Sequence, residues 1–355
     1  MGQIHQYLRH MRQVGASDLH LSSGRPPMLR VSGHMSAIEG QPVLQTQQLR
    51  AMMQEVVNER QWRRFEREHD LDFATAIEGV ARFRGNFFEQ QYGCGAVFRV
   101  IPDQIVGIEK LGVPDAVMKM ADVESGMVLV TGPTGSGKST TLAGIVDLVN
   151  RNYARHIVTI EDPVEFVHEN KRSVISHREV GTDSDNFASA LRAAMRQDAD
   201  VILVGELRDL ETISLAVEAA SMGVLVFGTL HTNGAAKTVD RILDTFPADQ
   251  RDQARAALAD SLAAVVSQIL VRKREGGGRA GVHEILVRTP GLAGAIREGN
   301  TAMINSIIAS GRNLGMQTLD SALMELVKTG VIDGHEAYLK AGDKKPFAQW
   351  ASKPE

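Results

Sequence analysis

Eight residues, Gly132-Pro133-Thr134-Gly135-Ser136-Gly137-Lys138-Ser139, constrain this chain more than any others. Two glycines separated by four residues and followed by Lys and Ser fit the phosphate-loop pattern at every fixed position. The flanks agree: Met127-Val128-Leu129-Val130 reads as a strand entering the loop, and a helical pattern starts at Ser139-Thr140. Glycines let the backbone fold with its N–H groups around phosphate oxygens, at the positive end of a helix. The expected contacts with a nucleoside triphosphate are Pro133, Thr134, Gly135, Ser136, Gly137, Lys138, Ser139 and Thr140. Lys138 suits the β- and γ-phosphates, and the Ser139 hydroxyl suits Mg²⁺. A Gly-rich turn without a ligand is the alternative, and the strand and helix on either side argue against it.

The surrounding pattern sets the fold class. Apolar runs at 128–131, 157–161, 201–204 and 224–229 alternate with helical segments at 140–150 and 187–196. Strands of that kind are buried on both faces, which predicts an α/β domain with a parallel sheet between helices. It is expected to span 115–355, with a mostly helical tail after Gly276-Gly277-Gly278 and an amphipathic helix at 317–327. Residues 1–101 read as a smaller α+β domain. It has a helix at 3–14, strands at 18–21 and 28–31, a charged helix around 49–68, and strands at 81–90 and 96–101. Gly93 and Gly95 are expected to mark the last hairpin. The segment 102–114, with Pro102, Gly107, Gly112 and Pro114, reads as a linker.

Hydrolysis needs groups that complete Mg²⁺ coordination and position water. Two acidic clusters end apolar strands, Ile160-Glu161-Asp162-Pro163-Val164-Glu165 and Val204-Gly205-Glu206. A third strand delivers Leu230-His231-Thr232 to the same edge, where open parallel sheets bind ligands. Glu161 and Glu206 are thus carboxylates for the metal beside Ser139; each cluster could also be a solvated strand end. The other histidines show no metal-ligand spacing.

Composition removes other classes. Among 355 residues the formal net charge is -4, aromatics are 5%, and no Lys/Arg stripe is present, unlike a nucleic-acid motor. Cys94 is the one cysteine, so neither an internal disulfide nor a multi-cysteine zinc site can form. No apolar run approaches the roughly 18 residues of a membrane span, and no signal-peptide stretch opens the chain. The expectation is a cytoplasmic protein with no transmembrane segment.

The phosphate loop, Ile-Glu-Asp-Pro-Val-Glu (160–165), Val-Gly-Glu-Leu-Arg-Asp (204–209) and Thr-Leu-His-Thr (229–232) together resemble the four boxes of the type II/IV secretion and pilus motor ATPases. The chain is most similar to their retraction branch, the PilT-like twitching-motility proteins of type IV pili. Ala-Ser-Asp-Leu-His-Leu (16–21), Arg-Phe-Arg (82–84) and Asp-Arg-Ile-Leu-Asp-Thr-Phe-Pro (240–247) extend the match over nearly the whole chain. The resemblance implies a PAS-like N-terminal domain, a RecA-like P-loop NTPase domain, and a hexameric ring with nucleotide between subunits. It implies Glu165 as the carboxylate that polarises water and Glu206 as the carboxylate supporting Mg²⁺, partly through water. It makes His231 the sensor of nucleotide state, and Arg82, Arg84 and Arg99 the candidate arginines approaching a nucleotide held elsewhere. Each arginine could instead belong to a solvated strand face. The implied function is a homohexameric ATPase driving pilus retraction from the cytoplasmic face of the inner membrane, through an inner-membrane platform protein. An accessory ring subunit supporting a paralogous pilus ATPase is the alternative, and a RecA-like nucleic-acid motor the more distant one. Two departures stand out: Val224 where the family often has histidine, and Gly85 where a β-branched residue is usual.

Overall fold

Strand burial separates two kinds of sheet along the chain: alternating in strands such as Ala81–Gln90, continuous in Gly126–Thr131, Val201–Val204 and Leu225–Leu230. The computed structural model describes residues 2–101, 104–275 and 277–352. Pro102, at the start of the expected linker, and Gly276, in the expected turn, lie outside the described residues. By internal contacts the chain forms two units. The first comprises Met1–Gln104, Glu161–Val167 and Arg178–Asp185; the second comprises Ile105–Ile160, His168–His177 and Asn186–Glu355.

The first unit runs α1 (Gln3–Gln13), β1 (Asp18–Ser22), β2 (Met28–Val31), β3 (His34–Ala37), α2 (Thr46–Gln54), α3 (Glu59–Glu68), β4 (Asp70–Ile77), β5 (Ala81–Gln90) and β6 (Gly93–Ile101). Its sheet has the order β3-β2-β1-β6-β5-β4, antiparallel throughout. One face carries Leu19, Leu21, Phe73, Phe83, Phe87 and Phe98, buried with Ile4 and Leu8 of α1, Met52 and Met53 of α2 and Phe65 of α3. Alternation therefore leaves polar side chains on the other face.

The second unit continues with α4 (Asp115–Met118), β7 (Gly126–Thr131), α5 (Lys138–Asn152), β8 (His156–Glu161), β9 (Val174–Glu179), α6 (Phe187–Ala194), β10 (Val201–Val204), α7 (Leu210–Ser221), β11 (Leu225–Leu230), α8 (Ala235–Asp244), α9 (Arg251–Ser261), β12 (Leu262–Arg272) and β13 (Arg279–Val287). Helices α10 (Pro290–Arg297), α11 (Met303–Ser310), α12 (Leu319–Lys328) and α13 (Gly334–Lys340) follow. The sheet order is β13-β12-β7-β11-β10-β8-β9. Strands β12, β7, β11, β10 and β8 are mutually parallel, and β13 is antiparallel to its neighbour β12. Every residue of β7, β10 and β11 is buried, as expected for strands covered on both sides.

Several expectations need correction. The charged helix around 49–68 is two helices, because Asn58 and Gln61 form a reciprocal capping box that starts α3. Gly93 and Gly95 lie within β6 rather than in the turn. A Cβ at Gly95 would sit 2.4 Å from Phe88 Cζ, so the absent side chain makes room for a ring. Gly85 answers to the same physics, with the Phe73 ring 2.4 Å from the position of a Cβ. Gly277 and Gly278 lie between the long strands β12 and β13, and β13 occupies the start of a tail read as helical. Continuous apolar runs such as Leu262–Val266 do not distinguish a buried strand from a buried helix.

His168 and His283 are buried, and that burial holds each ring's pKa down at about 4. Folded, both stay neutral to about pH 4; unfolded, both take up a proton below about 6.5. The unfolded state therefore binds more protons between these values, and stability is lost as pH falls through that window. Thermal melts from pH 7 to pH 4 should show the falling midpoint, with a shallower slope in His283→Leu.

Candidate functional site

The phosphate loop owes its shape to three glycines. Gly132, Gly135 and Gly137 have φ of 140°, 77° and 87°, a region side chains rarely adopt. Crowding adds a second reason at two of them. A Cβ on Gly132 would lie 2.1 Å from Gln268 O, and one on Gly137 2.9 Å from Gln268 Nε2, whereas Gly135 faces open space. Lys138, the first residue of α5, folds back so that its Nζ donates to Gly132 O at 2.9 Å and Pro133 O at 3.1 Å. The ammonium is thus poised over the loop. Ser136 Oγ is buried without a hydrogen-bond partner. The first-turn N–H groups of a helix have no intrahelical acceptors, so those of α5 at Ser139 and Thr140 suit an anion. This cradle fits a polyphosphate.

Two neighbouring strand ends carry the polar chemistry of the same unit. Glu206 follows β10, and its carboxylate accepts from Arg208 Nη2 at 2.7 Å while His231 Nε2 lies 3.3 Å away. Burial alone would raise the Glu206 pKa, but Arg208 and His231 outweigh it and the net shift is downward. The group is a carboxylate at neutral pH. The rest of that box is structural: Leu207 is buried, and Asp209 caps α7 by accepting from Thr212 N at 2.8 Å. Thr229 donates its hydroxyl to Gly205 O, and Leu207 N donates to Thr229 O at 3.0 Å, which locks the ends of β10 and β11 together.

Glu161 and Glu165 belong to the first unit. Glu165 N donates to Glu161 Oε2 at 3.2 Å, and Arg82 Nη1 lies 3.5 Å from Glu165 O. The three candidate arginines share the polar face of the first sheet. Arg82 and Arg84 are two apart on β5, and Arg84 is the cross-strand partner of Arg99 on β6. Arg99 in turn pairs with Asp18 on β1, and Asp18 with Arg30 on β2. Asp18 is only 3% exposed, and its carboxylate accepts from Arg99 Nε at 2.8 Å and from Ser17 Oγ at 2.8 Å. Burial pushes its pKa up, and these bonds and the Arg99 charge more than reverse the shift. Arg99 is held through Nε while its side chain remains 71% exposed. Arg84 faces Asp72 at 3.8 Å.

Residue reading overlooked the roles of Arg208, Asp18 and Gln268. The first two sit inside quoted boxes, so position was visible although partner was not. Nothing in the sequence marks Gln268.

Hydroxyl and carboxylate oxygens, the donors offered by Ser139, Glu206 and Glu161, are hard ligands of the kind Mg²⁺ takes. Among the described residues no group of three or more His, Cys, Asp or Glu is placed to cage a metal. No helix among the described residues is long and apolar enough to cross a membrane.

The family model of type II/IV secretion system proteins matches residues 2–337, and the chain belongs to that family. The type IV pilus retractation ATPase PilT of Pseudomonas aeruginosa PAO1 is 50% identical over 338 residues, covering 95% of this chain and 98% of that protein. A twitching motility protein of Neisseria gonorrhoeae is 47% identical over 322 residues, covering 91% and 86% respectively. The crystal structure of the pilus retraction motor PilT with bound ADP matches at a TM-score of 0.89 and 40% identity, across 98% of this chain and 99% of that one.

Gly132→Ala should deform the loop through both its φ and the 2.1 Å approach to Gln268 O. A strained backbone position of this kind costs about 1–3 kcal/mol. The thermal midpoint should fall by a few degrees, while Gly135→Ala, strained but uncrowded, should lower it less.

Proposed function

We propose that this chain is the ATP-hydrolysing motor subunit of a type IV pilus retraction machine, working as a homohexamer. The observation that carries the reading is its 50% identity, over 95% of its length, to a pilus retraction ATPase. The second unit is read as the RecA-like P-loop NTPase domain and the first as the PAS-like domain. The ring acts at the cytoplasmic face of the inner membrane on a platform protein, and depolymerises pilin to power twitching motility.

The chemistry follows from the residues. Lys138 and the loop N–H groups from Thr134 to Thr140 hold the ATP phosphates. Ser139, Glu206 (partly through water) and Glu161 would hold Mg²⁺, which would neutralise charge on the transferring phosphoryl group. Glu165 accepts a proton from the attacking water and orients it. His231, whose Nε2 lies 3.3 Å from the Glu206 carboxylate, senses the nucleotide state and links the site to its neighbours. Arg82, Arg84 and Arg99 present guanidinium groups to the nucleotide of another subunit. A guanidinium supplied across a boundary makes hydrolysis depend on the neighbour's position, and so couples it to motion. The pairing of Arg99 with Asp18 supports this role, because it leaves the Nη groups of a fixed side chain facing outward.

Val224 keeps the accessory-subunit reading in play, since it stands where the family often has histidine. Its carbonyl accepts from Gly126 N at 3.1 Å, a backbone contact that does not depend on the side chain.

The test is Mg²⁺-dependent ATP hydrolysis and solution mass for the wild type and Glu165→Gln. Six 38.6 kDa chains give a ring of roughly 230 kDa. Removing the base should lower turnover about 10²–10⁴-fold while leaving nucleotide binding intact. Full turnover in Glu165→Gln would move the role to Glu206. A ring that binds ATP without turning it over would favour the accessory subunit.

A further inference from the structure

Strand β12 carries one polar side chain that nothing in the motor boxes accounts for. Gln268 is 4% exposed on a strand flanked by β7 and β13. A buried amide at such a place is costly unless its donor and acceptor are both used. Here both are. Its Nε2 donates to Ser136 O at 2.6 Å, and its Oε1 accepts from Thr141 Oγ1 at 2.8 Å. One bond ends inside the phosphate loop, the other on the first turn of α5, which the loop opens into. Thr141 itself is buried at 2% exposure and starts the helical ladder by donating its N–H to Gly137 O at 3.0 Å.

The backbone at this position also meets the loop. The Gln268 carbonyl and amide occupy the space that Cβ atoms on Gly132 and Gly137 would need. Gly132 is therefore required from behind, by the backbone of β12, while at Gly137 a Cβ would crowd the end of the Gln268 side chain.

We propose that Gln268 is a positioning residue of the nucleotide site. Its amide ties the Ser136 carbonyl back against β12, which leaves the neighbouring N–H groups facing the phosphates, and it fixes the loop to the first turn of α5. The inference rests on the ATPase reading above. Gln268 touches no reacting atom and acts through Ser136 and Thr141.

A preorganised loop binds phosphate without first being ordered, so losing the clamp should weaken binding more than it slows the bound complex. The experiment measures ADP·Mg²⁺ affinity by calorimetry, and kcat and KM for ATP, in the full-length wild type, Gln268→Leu, Gln268→Glu and Thr141→Val. Gln268→Leu removes both bonds. Gln268→Glu keeps the acceptor for Thr141 but sets an oxygen against the Ser136 carbonyl, and Thr141→Val removes the other end. The expected result is affinity weakened about tenfold or more in both Gln268 variants, the scale of one lost net hydrogen bond, and by a smaller factor in Thr141→Val. KM should rise in parallel, with kcat at saturation kept within about threefold. Affinity within twofold of wild type in Gln268→Glu would overturn the proposal, as would a loss of kcat at unchanged KM. If Gln268→Leu does not fold, Gln268→Glu and Thr141→Val decide by the same criteria. A wild type that bound no ADP would overturn the ATPase reading and this inference with it; normal wild-type binding beside unaffected variants would overturn this inference alone.

Discussion

A strand covered on both faces has no place along its length for a charge, and the organisation of the second unit follows from that. Residues of β7, β10 and β11 are buried from end to end, so polar chemistry is displaced to the loops where these strands stop. Because the strands are parallel, the loops emerge at one edge. Backbone pairing of Val204 with Gly228 and of Leu230 with Thr131 sets their relative heights. Glu206, His231 and the phosphate loop are therefore brought to one edge from distant sequence positions, and Glu206 and His231 there come within 3.3 Å of each other. Bonds to Gly205 and from Leu207 on either side of Glu206 extend the β10 ladder past its last formal residue. The carboxylate is placed by backbone on both sides.

The two units solve the same electrostatic problem twice. Glu206 and Asp18 are both withdrawn from water, which by itself favours the protonated form. Each is returned to the ionised form by its partners, Glu206 by Arg208 and His231, Asp18 by the Ser17 hydroxyl and the Arg99 guanidinium. The effect runs in both directions. A partly or fully buried carboxylate gains its charge, and a mobile arginine gains a fixed origin. For Arg99 the second consequence matters more, since a long side chain held through Nε loses little further entropy when its Nη groups meet an anion. Arg82 and Arg84 lack so buried an anchor, which sets Arg99 apart among the three.

Much of this was legible in the sequence because the informative signals are local. Phosphate-loop spacing, apolar runs for β7, β8, β10 and β11, and the family boxes each reside in fewer than ten consecutive residues. What was not legible is long-range. Asp18 and Arg99 are 81 residues apart, and Gln268 and Ser136 are 132 apart. A single sequence offers no means of pairing them. Gly85 shows the same limit from the other side: its lack of a side chain looks like divergence until Phe73 is found lying across it. The capping box that splits 49–68 was local and readable, as Asn58-x-x-Gln61, but the charge pattern on either side masked it.

Strand β12 shows why a residue outside every motif can matter to the site. Adjacent residues of a strand point to opposite faces. Gln268 reaches Ser136, while Ser267 accepts from Gly234 N at 2.8 Å at the start of α8, three residues after His231. Glu284 on the paired β13 secures the next N–H, that of Ala235, at 2.7 Å. The phosphate loop and the loop that carries His231 are thus fastened to consecutive residues of one strand. Farther along, Val271 of β12 and Val282 of β13 form a core with Leu323, Ala337 and Phe347 of the C-terminal segment, and Arg272 N donates to Glu336. A fully hydrogen-bonded strand pair is stiff along its axis, so neither loop can shift against β12 without breaking a buried bond. Displacement of the phosphate loop would have to break the Gln268 clamp, move with β12, or be absorbed by α5. The first of these leaves buried polar atoms unpaired, which makes it the costliest for the fold.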